Sequence, residues 1–134
     1  MKFVVLGEPF GKQRPRYTKF GRAYTPKETV NYESLVKVAY MDQIGMDAII
    51  SEGNVYVEIN AYFKIPKNTS KKKTESMIKG YIRPTKKPDV DNIAKIILDA
   101  LNGVAYSDDT QVVEIIVTKS YSETPRVEIT IAGE

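Results

Sequence analysis

The chain has 134 residues, enough for one compact domain over residues 1–134 and too few for two, and its 42% hydrophobic and 28% charged residues are those of a globular fold. It contains neither cysteine nor histidine. That excludes disulfides, zinc–thiolate sites, thiol nucleophiles and Ser-His-Asp triads, and leaves oxygen ligands and hard cations such as magnesium or manganese for any metal chemistry. The absence of cysteine is compatible with a cytoplasmic protein, and no apolar run approaches the roughly 20 residues that span a bilayer, so no membrane partner is expected.

In chain order, residues 2–6 read as a first strand ended by Gly7 and Pro9, not as a signal peptide. Residues 16–25 carry β-favouring side chains on either side of Gly21 and predict a short hairpin. Pro26 then suits a first helical turn with Thr25 as N-cap. The helix that follows runs to about Gly45 with Val30, Leu35, Val38, Ala39 and Met41 as its apolar face. Residues 54–65 alternate, Val55, Val57, Ile59, Ala61 and Phe63 against Tyr56, Glu58, Asn60 and Tyr62, which predicts a strand with one buried face. Pro66 ends it, and the Lys-rich residues 67–87 hold a short helix near 70–79. The clearest helix spans about 91–102, with Ile93, Ile96, Ile97, Ala100 and Leu101 on one stripe and Gly103 as its stop. Strands at Val112–Thr118 and Arg126–Ile131 complete the chain. The order predicts an α+β fold: a small mixed sheet with helices packed on it in two layers.

The modest net charge of +3 hides a segregation, since residues 11–27 and 64–87 hold 15 of the 20 Lys and Arg residues and only one acid, Glu75. Such segregation is the footprint of a polyanion partner. Lys12, Arg14, Arg16, Arg22, Lys71, Lys72, Lys73, Lys86 and Lys87 are the candidate phosphate-binding residues. A pair of solvated loops is the plain alternative, weakened by the acidic cluster that the two segments flank.

That cluster begins in the run KPDVDNIAKIILDALNG, residues 87–103. Pro88 disfavours helix at Lys87, and in an extended 89–91 the carboxylates of Asp89 and Asp91 point to one side. Asp91, Lys95 and Asp99 then follow at steps of four along a stripe that borders the apolar one. A helix packed antiparallel to the strand after Asp109 is expected to bring Asp108 and Asp109 within reach of Asp89 and Asp91. Clustered carboxylates can hold divalent ions that activate water and stabilise charge in phosphodiester hydrolysis without a histidine. Gathering them without a cation is costly, because like charges oppose one another. Each piece also has a simpler reading: Asp91 as a helix cap, Asp108 and Asp109 as a turn, Asp91–Lys95–Asp99 as a salt-bridge ladder. An EF-hand loop does not fit, since Ile93 and Ala94 stand where it needs an oxygen ligand and a glycine.

The run KPDVDNIAKIILDALNG followed by YSDDTQVVE closely resembles the signature of the RusA family of Holliday junction resolvases. The stretch GKQRPRYTKFGRAYTP resembles that family's basic N-terminal region, and together these segments cover about a third of the chain. The resemblance implies a RusA-like fold and a magnesium-dependent endonuclease, with manganese able to substitute and no small-molecule cofactor. Asp89, Asp91 and Asp109 would be the metal ligands, with Asp109 chosen over its neighbour Asp108 on the resemblance alone, and Lys95 would assist cleavage; Asp108 stays the alternative ligand or a supporting residue, and Asp99 matches the motif while its place on the helix equally suits it to hold Lys95. It further implies a homodimer that nicks two strands of a four-way junction symmetrically, in recombination and repair. Well-known members carry Arg before the first aspartate; here Pro88 stands there, and Lys86 or Lys87 would supply that charge. The rival readings are a non-catalytic binder of branched DNA and a metal-dependent nuclease for other DNA structures. A nucleotide phosphotransferase is disfavoured by the absence of a G-x-x-x-x-G-K-[ST] loop.

Overall fold

Alternation decides the centre of the fold: Val55, Val57, Ile59, Ala61 and Phe63 are buried, while Tyr56, Glu58, Asn60 and Tyr62 are not. The computed structural model describes residues 1–134. Its strands are β1 (Lys2–Leu6), β2 (Arg16–Tyr17), β3 (Ala23–Tyr24), β4 (Val55–Lys64), β5 (Val112–Ser122) and β6 (Arg126–Gly133). Its helices are α1 (Lys27–Gln43), α2 (Lys71–Ile78) and α3 (Val90–Leu101). The main sheet has the order β1-β6-β4-β5, antiparallel except for the β4–β5 pair, and β2 with β3 forms the separate hairpin. Phe3, Ile129, Ile59 and Val117 lie in register as one row across the sheet. Helices α1 and α3 cover the apolar face, giving the two-layer α+β architecture.

The stripe expected on α3 is the one observed: Ile93, Ile96, Ile97, Ala100 and Leu101 are all fully buried, each Ile or Leu contributing about 1.5–3 kcal/mol. Helix α1 departs from its predicted face. It buries Thr29, Tyr32, Val36 and Tyr40 and leaves Val30, Leu35, Val38 and Met41 exposed. The buried set has the 3–4 spacing that the aliphatic set lacks, and its rings have partners: Tyr32 stacks on Phe10, and Tyr40 meets Phe3 edge-on. The helix also starts one residue late, with Pro26 itself at the N-cap position and no side-chain cap, so Thr25 does not serve as one.

Two features place the site. Tyr106, fully buried, donates from its hydroxyl to the Leu98 carbonyl at 2.7 Å and ties the loop after α3 back onto the helix. Strand β5 runs four residues past its predicted end, pairing with β4 as far as Lys64 opposite Ser122. It is also an edge strand, and the first half of it leaves Val113, Ile115 and Ile116 exposed. No helix is long and apolar enough to cross a membrane.

Candidate nucleic-acid and metal site

Asp89 is the N-cap residue of α3, extended at φ −73° and ψ 158°, and its carbonyl accepts from the Ile93 amide at 3.0 Å. Its carboxylate makes no capping hydrogen bond, so the side chain stays available. The helix begins at Val90, one residue earlier than a fully extended 89–91 would require. Asp89 is therefore the N-cap and Asp91 a first-turn residue, not an alternating pair on an extended segment. Asp89 lines a polar cleft with residues 9–14, Lys87, Pro88 and Asn92, whereas Asp91 lines a groove between α3 and β5.

The polar cleft forms because the N-terminal segment docks closely on the start of α3. The Lys12 amide donates to the Asn92 carbonyl at 2.9 Å. A Cβ on Gly11 would fall 2.6 Å from that of Pro88 and 3.1 Å from that of Asn92, so only glycine allows the approach. Lys12 does not present its charge outward. Its ammonium pairs with Asp99 at 3.0 Å and Glu33 at 3.3 Å, and its side chain is only 20% exposed. Burial opposes the Lys12 charge, but the hydrogen bonds and charges of Asp99 and then Glu33 outweigh it and raise its pKa. Lys12 is thus an internal bridge between the N-terminal segment, α1 and α3. Asp99, expected to hold Lys95, is held by Lys12 instead, because the docked segment brings a second cation to that side of the helix.

The groove is lined by Val90, Asp91, Ala94, Lys95 and Leu98 of α3 with Ile115 and Val117 of β5. Asp91 and Lys95 take part in no ion pair within the chain. The expected ladder through Lys95 is absent, leaving a carboxylate and an ammonium free on an otherwise apolar surface.

Asp108 and Asp109 divide their work. Asp108 caps the short 3-10 turn Asp109–Gln111, accepting from the Thr110 amide, while Gln111 reaches back to the Asp108 amide. Hydrogen bonds from Thr110 lower the Asp108 pKa, so this carboxylate is already engaged. Asp109 has the opposite tendency: desolvation, then Asp108 and Asp99, push its pKa up. Its amide donates to Oδ1 of Asn102 at 3.1 Å, which anchors it at the C-terminal end of α3. Asp91 lies eleven residues before Asn102 in that helix, about 16 Å along its axis. The antiparallel packing is as expected, with Lys119 of β5 reaching the Lys86 carbonyl near the start of α3. Its consequence is the reverse of the one expected: it sets the start of β5 beside the end of α3. Accordingly, no three acidic side chains gather within one chain at metal-binding spacing.

The remaining basic candidates face solvent. Arg14, Arg16 and Arg22 are exposed on and before the β2–β3 hairpin, whose turn is fixed by Thr18–Arg22 and Gly21–Thr18 backbone hydrogen bonds. Lys71, Lys72 and Lys73 form the exposed first turn of α2, capped by Ser70, and Lys86 and Lys87 lie just before α3. Reading the sequence missed Phe20, 83% exposed at the hairpin turn among these cations, Asn102, which anchors Asp109, and Gly11. An Asn next to a helix-ending Gly could have flagged Asn102; no local signal marks Gly11, whose constraint comes from residues far along the chain.

A family model described as Endodeoxyribonuclease RusA matches residues 7–132. An uncharacterized protein of Bacillus subtilis (strain 168), YqaN, is 42% identical over 136 residues, which is 98% of this chain and 94% of that relative.

Proposed function

The chain belongs to the RusA endodeoxyribonuclease family, and on that premise we propose that it is a magnesium-dependent endonuclease resolving four-way DNA junctions in recombination and repair. The observation that carries this reading is the unpaired Asp91–Lys95 couple in the α3–β5 groove, on the helix that Lys86 and Lys87 precede. The chain acts as one domain, as a homodimer and in the cytoplasm.

Asp89, Asp91 and Asp109 are the proposed metal ligands. Their chemistry suits magnesium, with manganese as a substitute: all are carboxylates, none of the three is used as a side-chain cap, and the chain has no His or Cys to favour a softer ion. When bound, such an ion supplies Lewis-acid chemistry for phosphodiester hydrolysis. Lys95 offsets charge developing on the leaving oxygen. Asp99 fixes the N-terminal segment through Lys12, and Asp108 shapes the turn that carries Asp109. Arg14, Arg16, Arg22, Lys71, Lys72, Lys73, Lys86 and Lys87 bind phosphates. One observation favours the rival reading of a non-catalytic binder of branched DNA: Asp109 is remote from Asp89 and Asp91 within a chain.

Metal dependence separates the two readings. Protein stripped with chelator should keep its circular dichroism but not cut a four-way junction; magnesium or manganese should restore cutting, with no need for zinc. Undiminished cutting in excess EDTA would rule out the metal site. The basic surface has its own test. The combined Lys71→Ala, Lys72→Ala, Lys73→Ala variant should bind all DNA forms more weakly, and the slope of log K against log salt should fall by about 0.9 for each phosphate that is no longer neutralised. An unchanged slope would show that this helix turn does not touch DNA.

A further inference from the structure

We infer that Phe20, at the tip of the β2–β3 hairpin, stacks on an unpaired base at the branch point of the DNA and so favours branched over linear substrates. This deepens the reading of the chain as a branched-DNA protein and rests on it.

The hairpin projects from the domain. Every residue from 14 to 25 is exposed, and β2 and β3 pair only with each other. Its turn is nevertheless well defined. The Thr18 hydroxyl oxygen accepts from the Phe20 and Arg22 amides at 3.3 and 3.2 Å, and the Thr18 amide donates to the Arg22 carbonyl at 2.8 Å. Gly21 closes the turn at φ +81°, a conformation that a side chain would strain. The Phe20 ring is thereby held out in solvent, 83% exposed, more than any other large hydrophobic side chain of the protein.

Isolated exposed apolar side chains are ordinary; the surroundings of this one are not. Arg14, Arg16, Lys19 and Arg22 have no ion-pair partner within the chain, and residues 11–27 contain no acid. The Lys19 ammonium lies 5.3 Å from the centroid of the Phe20 ring. An aromatic face beside free cations suits a nucleotide, whose base takes the ring and whose flanking phosphates take the cations. An apolar protein partner would use the ring and leave the charges unmatched, and a second copy of the hairpin would oppose like charges.

Unpaired bases fit this ring better than paired ones. Within a duplex both faces of a base are already stacked, and a side chain enters only by unstacking a step. That cost is least for bases that are mismatched or already single-stranded. A branch point interrupts the helical stack, so its bases are the easiest to free. The hairpin is also rooted beside the acidic residues. Arg14 lines the cleft that holds Asp89, and Phe20 is six residues further along, at most about 20 Å of chain. Phosphates of one strand repeat every ~3.4 Å. A base on Phe20 is then no more than about six nucleotides along the strand from a phosphate at Asp89.

The test measures binding of the full-length protein in EDTA, so that no strand is cut, to a four-way junction, a single-stranded oligonucleotide and a linear duplex. Phe20→Ala should weaken binding to the first two by at least about fivefold. Its affinity for the duplex and its salt slopes should not change, because the phosphate contacts remain. Phe20→Trp should restore the affinity. The chain has no other tryptophan, so the indole emission of this variant reports stacking directly: the junction and the single strand should quench it, the duplex should not. Wild-type affinity in Phe20→Ala, or equal emission on all three DNAs in Phe20→Trp, overturns the inference and leaves the branched-DNA reading standing. A loss in Phe20→Ala that extends equally to the duplex, or that lowers the salt slope, shows a hairpin that binds phosphates alone and overturns it too. So does a changed sedimenting mass of free Phe20→Ala, which would place the ring between copies of the chain. A wild-type protein that binds none of the three DNAs overturns both.

Discussion

Asp89→Asn, Asp91→Asn and Asp109→Asn should each abolish junction cleavage, by at least about a hundredfold, while leaving junction binding intact or tighter without metal. The size follows from removing a carboxylate that holds a catalytic ion. The binding result follows from removing a negative charge that repels the phosphate backbone. Stability should change by less than ~1 kcal/mol, because none of the three carboxylates makes a side-chain cap. Asp108→Asn is the contrasting substitution: asparagine caps as well as aspartate, so this variant should keep both its fold and most of its activity. Lys95→Ala should slow cleavage without altering manganese affinity. Nicking rate, junction affinity and melting temperature measured on the same five proteins separate these roles. Asp89, Asp91 and Asp109 variants that cut at near wild-type rate would show that the chemistry lies elsewhere.

Lys12→Met should lower stability by about 1–3 kcal/mol in denaturant titration. Breaking a fully buried ion pair from one side costs about 3–5 kcal/mol, and the cost here is smaller because Asp99 remains 34% exposed. The sign with pH is fixed. The Lys12 pKa is raised above 10.5 in the folded chain, so the stabilisation is complete below that value and is lost as pH climbs through the raised one. The gap between wild type and Lys12→Met should therefore narrow at strongly alkaline pH. The salt slope of DNA binding should not change in this variant, whereas Arg14→Ala or Arg16→Ala should lower it. A Lys12→Met protein of normal stability with a reduced slope would restore Lys12 to the phosphate-binding set.

These contrasts mark what could be read from sequence. The strand Val55–Lys64 and the α3 stripe were legible because each element is amphipathic at its own period and meets the core with one clean face. The inner face of α1 was not, because it is built largely from Tyr32, Tyr40 and Thr29, and counting aliphatics selects the exposed side. The role of Lys12 was hidden for another reason: its partners, Glu33 and Asp99, are 21 and 87 residues away. Asp108 and Asp109 look alike in sequence and differ only in which one the turn consumes as a cap. The placement of Asp109 failed on direction. Antiparallel packing was correctly foreseen, but it sends the start of the strand to the far end of the helix.

The most direct measurement is a four-way junction labelled on each strand in turn, incubated with the wild-type protein and magnesium, and resolved on a denaturing gel. A magnesium-dependent resolvase should produce paired nicks at symmetric positions on two opposed strands, little cutting of linear duplex of the same sequence, and no product in EDTA. An intact junction in magnesium despite tight binding would contradict the central claim and leave a non-catalytic binder of branched DNA. Equal cutting of junction and linear duplex would contradict it as well, leaving a nuclease without junction specificity.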